Sequence, residues 1–150
     1  MKITPFLWFD NQAQEAAKFY TSVFKGSKIK NTTKFHDTPS GTVEIITIDI
    51  LGKEFTLMSA GPLFKFNESI SFVVSCKDQE EVDYYWKKLS ADPKAEQCGW
   101  LKDKYGVSWQ IVPTILNRLV VKDKSGRVMK VMLQMKKLDI EELKKAYKNK

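Results

Sequence analysis

The chain has 150 residues, 43% of them apolar and 29% charged, with a net charge of +7 and two cysteines. This is the length and composition of one ordinary globular domain, able to bury a core without disulfide or metal. The longest unbroken apolar run is Phe6-Leu7-Trp8-Phe9. That is too short for a membrane span or the apolar region of a secretory leader, so the expectation is a cytoplasmic protein with Cys76 and Cys98 reduced and no membrane partner.

In chain order, residues 3–9 read as a strand, aromatic and β-branched without helical period. Asp10 is placed to cap a helix whose Ala13, Ala16, Ala17, Tyr20, Val23 and Phe24 recur at helical spacing, with Gly26 as its stop. Residues 27–35 form a lysine-rich strand of edge type, Thr38-Pro39-Ser40-Gly41 a turn, and residues 42–50 an alternating strand. Gly52-Lys53 turns the chain into a strand over 54–59. The first half is thus β-α-β-β-β.

The second half runs the same way. A strand over 70–76 precedes a helix capped by Asp78, with Val82, Tyr85, Trp86 and Leu89 on its apolar face. Strands over 96–101 and 107–113 follow, and the short stretch 92–100 leaves the third strand of this half open. Gln14–Tyr20 aligns with Gln79–Tyr85, and Gly52–Met58 with Gly106–Val112. Two matches in the same order on the same elements indicate a duplicated module. The expected fold is α+β: paired βαβββ modules forming a curved mixed sheet with helices outside and a concave ligand cup. The boundaries are 1–61 and 67–113 for the modules, within a domain of 1–113, then 114–150 for a basic helical extension.

The charge is concentrated in that extension. Residues 1–113 carry 14 basic and 14 acidic residues, and residues 114–150 carry 11 and 4. A basic tail can bind nucleic acid or a partner protein, or it can be the solvated face of surface helices. Twenty-three of the 25 basic residues are lysines, and Tyr147 is the tail's one aromatic residue, which argues against nucleic acid. Val128, Val131, Met132 and Met135 make an amphipathic stripe, and Asp139 with Glu142 starts a last helix.

Four stretches resemble the PhnB-like branch of the glyoxalase/bleomycin-resistance/dioxygenase superfamily, the vicinal oxygen chelate fold. They are residues 3–10, 61–68, 98–113 and 132–140. The resemblance implies the paired-module fold, a homodimer and a site in the cup, and it carries the label 3-demethylubiquinone-9 3-methyltransferase. The seven glycines include no GxG, so no dinucleotide-type turn supports that label. The resemblance places the superfamily's metal ligands near Ile3, at Glu68 or Ser69, and at Gln110. None of these is histidine, and His36 is the chain's one histidine. No metal and no cofactor are therefore expected.

What remains is a small-molecule site whose reaction, if there is one, is open. Gln110 either hydrogen-bonds a ligand or is satisfied by neighbouring groups. Glu68 and Ser69 are polar candidates beside it. Phe64, Phe66 and Trp100 line an apolar slot or belong to core and dimer contacts. Cys98 is a nucleophile only if a base or cation activates it, and otherwise a small buried residue.

Overall fold

The computed structural model describes residues 1–148, and the chain divides into two compact units, Met1–Phe66 and Asn67–Lys150. In the first, β1 (Phe6–Phe9), α1 (Ala13–Val23), β2 (Lys28–Thr38), β3 (Gly41–Ile50) and β4 (Lys53–Ser59) build a sheet ordered β1-β4-β3-β2. β1 and β4 are parallel and the other pairs antiparallel. Leu7, Phe9, Ile46, Ile48, Phe55 and Leu57 share the face that α1 covers with Ala13, Ala16, Ala17 and Tyr20, all of them buried. The alternation of β3 and the helical spacing of α1 therefore meet in one core.

The lysine-rich strand β2 lies at the sheet edge, as its charge predicts. Asp10 does not cap α1. The N-cap is Gln12, which makes no side-chain cap, and the Ala13 amide instead donates to Ser59 Oγ at 3.0 Å. A hydroxyl from the neighbouring strand replaces the local cap, which no local sequence pattern reports. β3 and β4 are joined by Leu51-Gly52, both in the left-handed region at φ 51° and 84°. This is the geometry of a two-residue hairpin turn that matches the strand twist.

In the second unit, β5 (Ser71–Cys76), α2 (Gln79–Leu89), β6 (Trp100–Lys102) and β7 (Ser108–Pro113) repeat the plan with one strand fewer, in the order β5-β7-β6. β5 and β7 are parallel, like β1 and β4. Asp78 caps α2 as expected, accepting from the Glu81 amide at 2.9 Å, while the Lys77 amide donates back to Glu81 Oε2. The strand expected over 96–101 is confined to Trp100–Lys102. Ahead of it, Pro93–Ala95 forms a single 3₁₀ turn, and Gln97 and Trp100 bridge across a tight Cys98-Gly99 turn. The stretch left open at 92–100 is used up by these two turns.

The tail forms α3 (Leu116–Lys122), α4 (Arg127–Met132) and α5 (Ile140–Lys148). Leu119, Val128, Leu138, Leu143 and Ala146 are buried together, with Val131, Met132 and Met135 packed against them. The methionine-rich stripe thus serves the unit's own core. Asp139 accepts from the Glu142 amide at 3.0 Å, the predicted cap of the last helix. Among the described residues no helix is long and apolar enough to cross a membrane.

Candidate functional site

Strand β7 sorts its side chains by face. Trp109 and Ile111 are buried, whereas Gln110 and Val112 are half-buried on the opposite side. Trp100 pairs directly with Gln110 in the antiparallel register, so the two stand on one face. Above that face lies a cleft of about 750 Å³, contained within the second unit. Trp100, Gln110 and Val112 line it from the sheet. Lys94, Ala95, Gln97 and Cys98 border it from the 3₁₀ turn and hairpin, Leu116, Met132 and Leu133 from the C-terminal extension, and Glu68 from the segment before β5.

The polar groups here are few, and all but Lys94 have a side-chain partner. Gln110 Nε2 donates to Ser71 Oγ at 2.8 Å, which leaves its carbonyl Oε1 as an acceptor. Glu68 is ion-paired with Lys102, and that ammonium holds its carboxyl below the usual carboxylate range. Gln97 Nε2 donates to the Leu133 carbonyl at 2.8 Å and contacts Cys98 Sγ at 3.2 Å. Lys94 is exposed, and among the described residues its ammonium has no acidic partner.

Cys98 and Gly99 are both left-handed, at φ 50° and 86°. Their amides donate to the Met135 and Lys136 carbonyls, each at 2.8 Å. A β-carbon at Gly99 would lie 3.0 Å from the Ile111 carbonyl oxygen and 3.1 Å from Leu138 Cδ1, so only glycine fits this turn without a shift.

Of the residues singled out from the sequence, Gln110, Glu68, Trp100 and Cys98 come together at this cleft. Ser69 does not line it; it is exposed and its hydroxyl bonds Asn67 Oδ1. Phe64 and Phe66 belong to the first unit, where they pack edge-on against Trp8 and Phe9, each at 5.1 Å between ring centres. Lys94, Gln97, Leu116, Met132 and Leu133 escaped the sequence reading. The Gln97-Cys98-Gly99-Trp100 hairpin signal and the apolar stripe of the tail are the traces that could have pointed to them.

The second cysteine, Cys76, is buried at the end of β5, and burial pushes its thiol up to about 12, with Glu81 and Asp78 adding to the effect. His36 sits exposed on the edge strand β2, its Nδ1 3.1 Å from Thr42 Oγ1. Ile3 is exposed and carries no donor atom. Among the described residues no three His, Cys, Asp or Glu side chains converge as a ligand set.

The family described as 3-demethylubiquinone-9 3-methyltransferase matches residues 1–112 of this chain. A Bacillus cereus PhnB protein bearing the same description is 32% identical, over 76% of this chain and all of its own, with a TM-score of 0.63. A structure of the fosfomycin resistance protein FosX of Listeria monocytogenes, with Mn(II) and 1S,2S-dihydroxypropylphosphonic acid, is 17% identical. That match covers 79% of this chain and 97% of that one, with a TM-score of 0.55. A Pseudomonas aeruginosa protein is 18% identical over 75% and 97%, at 0.52. The last two show likeness of fold alone. A comparison with curated proteins found no match.

Proposed function

The chain belongs to the 3-demethylubiquinone-9 3-methyltransferase family, the PhnB-like branch of the glyoxalase/bleomycin-resistance superfamily, and we propose that it binds a small, partly apolar molecule, without a metal, in the cleft of its second unit. The observation that carries this reading is the cleft itself. Its volume of about 750 Å³ is that of a small-molecule site, and its lining is apolar apart from a few placed polar groups. Gln110 is the group that would orient the ligand, accepting a hydrogen bond at Oε1 while Ser71 holds its amide nitrogen.

The three positions that the resemblance assigns to the superfamily's metal ligands do not make a donor set in this chain. Ile3 offers no ligand atom, Gln110 offers a neutral carboxamide already tied to Ser71, and Glu68 is engaged by the Lys102 ammonium. Methyl transfer rests on the family's description. A nucleotide-type methyl donor is usually held by a glycine-rich turn after the first strand, whereas β1 leads into α1 through Asp10-Asn11-Gln12.

A homodimer is part of the same reading. Phe6, Ile70 and Val73 are exposed on or beside β1 and β5, the terminal strands of their sheets, and a second copy would cover them.

Titration calorimetry with 2-naphthol, a flat apolar body with one hydroxyl donor, tests the site. Wild-type protein should bind it, and Gln110→Ala should weaken binding by about two- to twelvefold, the worth of one neutral hydrogen bond, with the melting temperature kept. Equal binding by wild type and Gln110→Ala, or a collapse of the melting temperature without a change in affinity, would make Gln110 structural. Tight binding of S-adenosylmethionine in equilibrium dialysis would favour methyl transfer instead.

A further inference from the structure

The family match ends at residue 112, yet Leu116, Met132 and Leu133 of the cleft lie beyond it. We propose that the C-terminal extension is the specificity wall of the cleft, and that the site it completes takes an amphipathic anion: a flat apolar body with a carboxylate or similar charge at one end. This rests on the cleft being a ligand site, as argued above.

Three observations carry it. The extension is latched to the site, not merely near it. Cys98 and Gly99 donate to the Met135 and Lys136 carbonyls at 2.8 Å, and Gln97 Nε2 to the Leu133 carbonyl at 2.8 Å. The latch is sterically tight, because a β-carbon at Gly99 would press on Ile111 O and Leu138 at 3.0 and 3.1 Å. The wall also has its own core around Leu119, Val128, Leu138 and Leu143, which makes it a fixed surface able to discriminate shape.

The charge follows from the border of the cleft. It has two charged side chains, Glu68 and Lys94. Glu68 is neutralised by Lys102, whereas Lys94 has no acidic partner among the described residues. The neighbouring Lys136 is spent on Glu96 at 3.5 Å and on the Pro93 carbonyl. A single uncompensated ammonium beside an apolar surface selects an anion attached to an apolar body. The body meets Trp100 and Met132, a polarizable pair suited to a flat ring.

The test compares two ligands of one shape, 6-hydroxy-2-naphthoate and 6-hydroxy-2-naphthamide, by titration calorimetry at low ionic strength. Wild type should prefer the carboxylate by about two- to fivefold, the range of an exposed ion pair, and added salt should narrow the gap. Lys94→Gln should erase the preference and leave the carboxamide's affinity unchanged. Leu133→Ala, at an exposed position that leaves the fold intact, should weaken both ligands alike by roughly three- to tenfold through lost apolar contact. Equal affinities in wild type, or a preference that survives Lys94→Gln, would overturn the anion; binding indifferent to Leu133→Ala would overturn the wall. Either result leaves the cleft as a ligand site, whereas failure of both compounds to bind would remove that reading and this one together.

Discussion

Gly99→Ala probes the joint between the sheet and the extension. Two costs add at this position. The backbone is left-handed at φ 86°, which costs an alanine about 1–2 kcal/mol. The new methyl would also lie 3.0 Å from the Ile111 carbonyl oxygen and 3.1 Å from the fully buried Leu138, tighter than nearly all β-carbon contacts, so these neighbours must give by a few tenths of an ångström. Relieving such crowding in a packed interior costs about 1–3 kcal/mol. The total is about 2–5 kcal/mol, a large share of the roughly 5–15 kcal/mol that holds a domain folded. Gly106→Ala is the matched control. It lies in the same unit with φ 84°, and nothing lies within 4 Å of where its β-carbon would stand. It should lose about 1–2 kcal/mol, the conformational part alone. Urea unfolding of the two variants, followed by circular dichroism, reads the difference. Amide exchange should also rise first in Met132–Leu138 in Gly99→Ala. Equal losses in the two variants would refute the steric part of the argument, and with it the close seat of Leu138 on the turn.

Leu51 occupies the first left-handed position of the β3–β4 turn and is exposed, so Leu51→Asn should raise stability by about 1 kcal/mol in the same unfolding assay. Asp103 is buried and accepts from the Tyr105 and Val107 amides and, at 2.8 Å, from Trp109 Nε1. Asp103→Asn turns an amide nitrogen toward a donor and should cost about 1.5–3 kcal/mol, read from the urea midpoint. For Cys76 the folded thiol lies at about 12, above its value in the unfolded chain, so its contribution to stability is complete below about pH 8.5 and is lost as pH rises toward 12. Cys76→Ala should flatten that alkaline decline in a series of melts.

Much of the architecture is legible in the sequence because both periodicities are clean. The β3 alternation and the α1 alanine spacing specify one buried face, and the repeat at Gly52 and Gly106 marks strands that both pair in parallel with the first strand of their unit. What escapes the sequence is made by tertiary hydrogen bonds. Ser59 takes over the cap that the sequence assigns to Asp10, because the β4 end lies beside the start of α1. The strand expected from residue 96 is shortened because Cys98-Gly99 turns the chain and spends its amides on the extension. The site divides along the same line. The strand phase identifies Gln110 and Trp100, since a strand's faces can be counted. Lys94, Leu116 and Leu133 depend on how the tail folds back, which no local pattern encodes. Phe64 and Phe66 have the aromatic character of ligand liners, but they pack against Trp8 and Phe9 on β1.

On the proposed function, the cleft of the second unit is where a small, partly apolar molecule binds. A titration of isotopically labelled protein with 2-naphthol, followed by two-dimensional NMR, tests it at every residue at once. The largest shifts should fall on the Trp100 indole, the Gln110 carboxamide and the Cys98 and Leu133 amides. Shifts that saturate elsewhere and leave those four signals unmoved would contradict it.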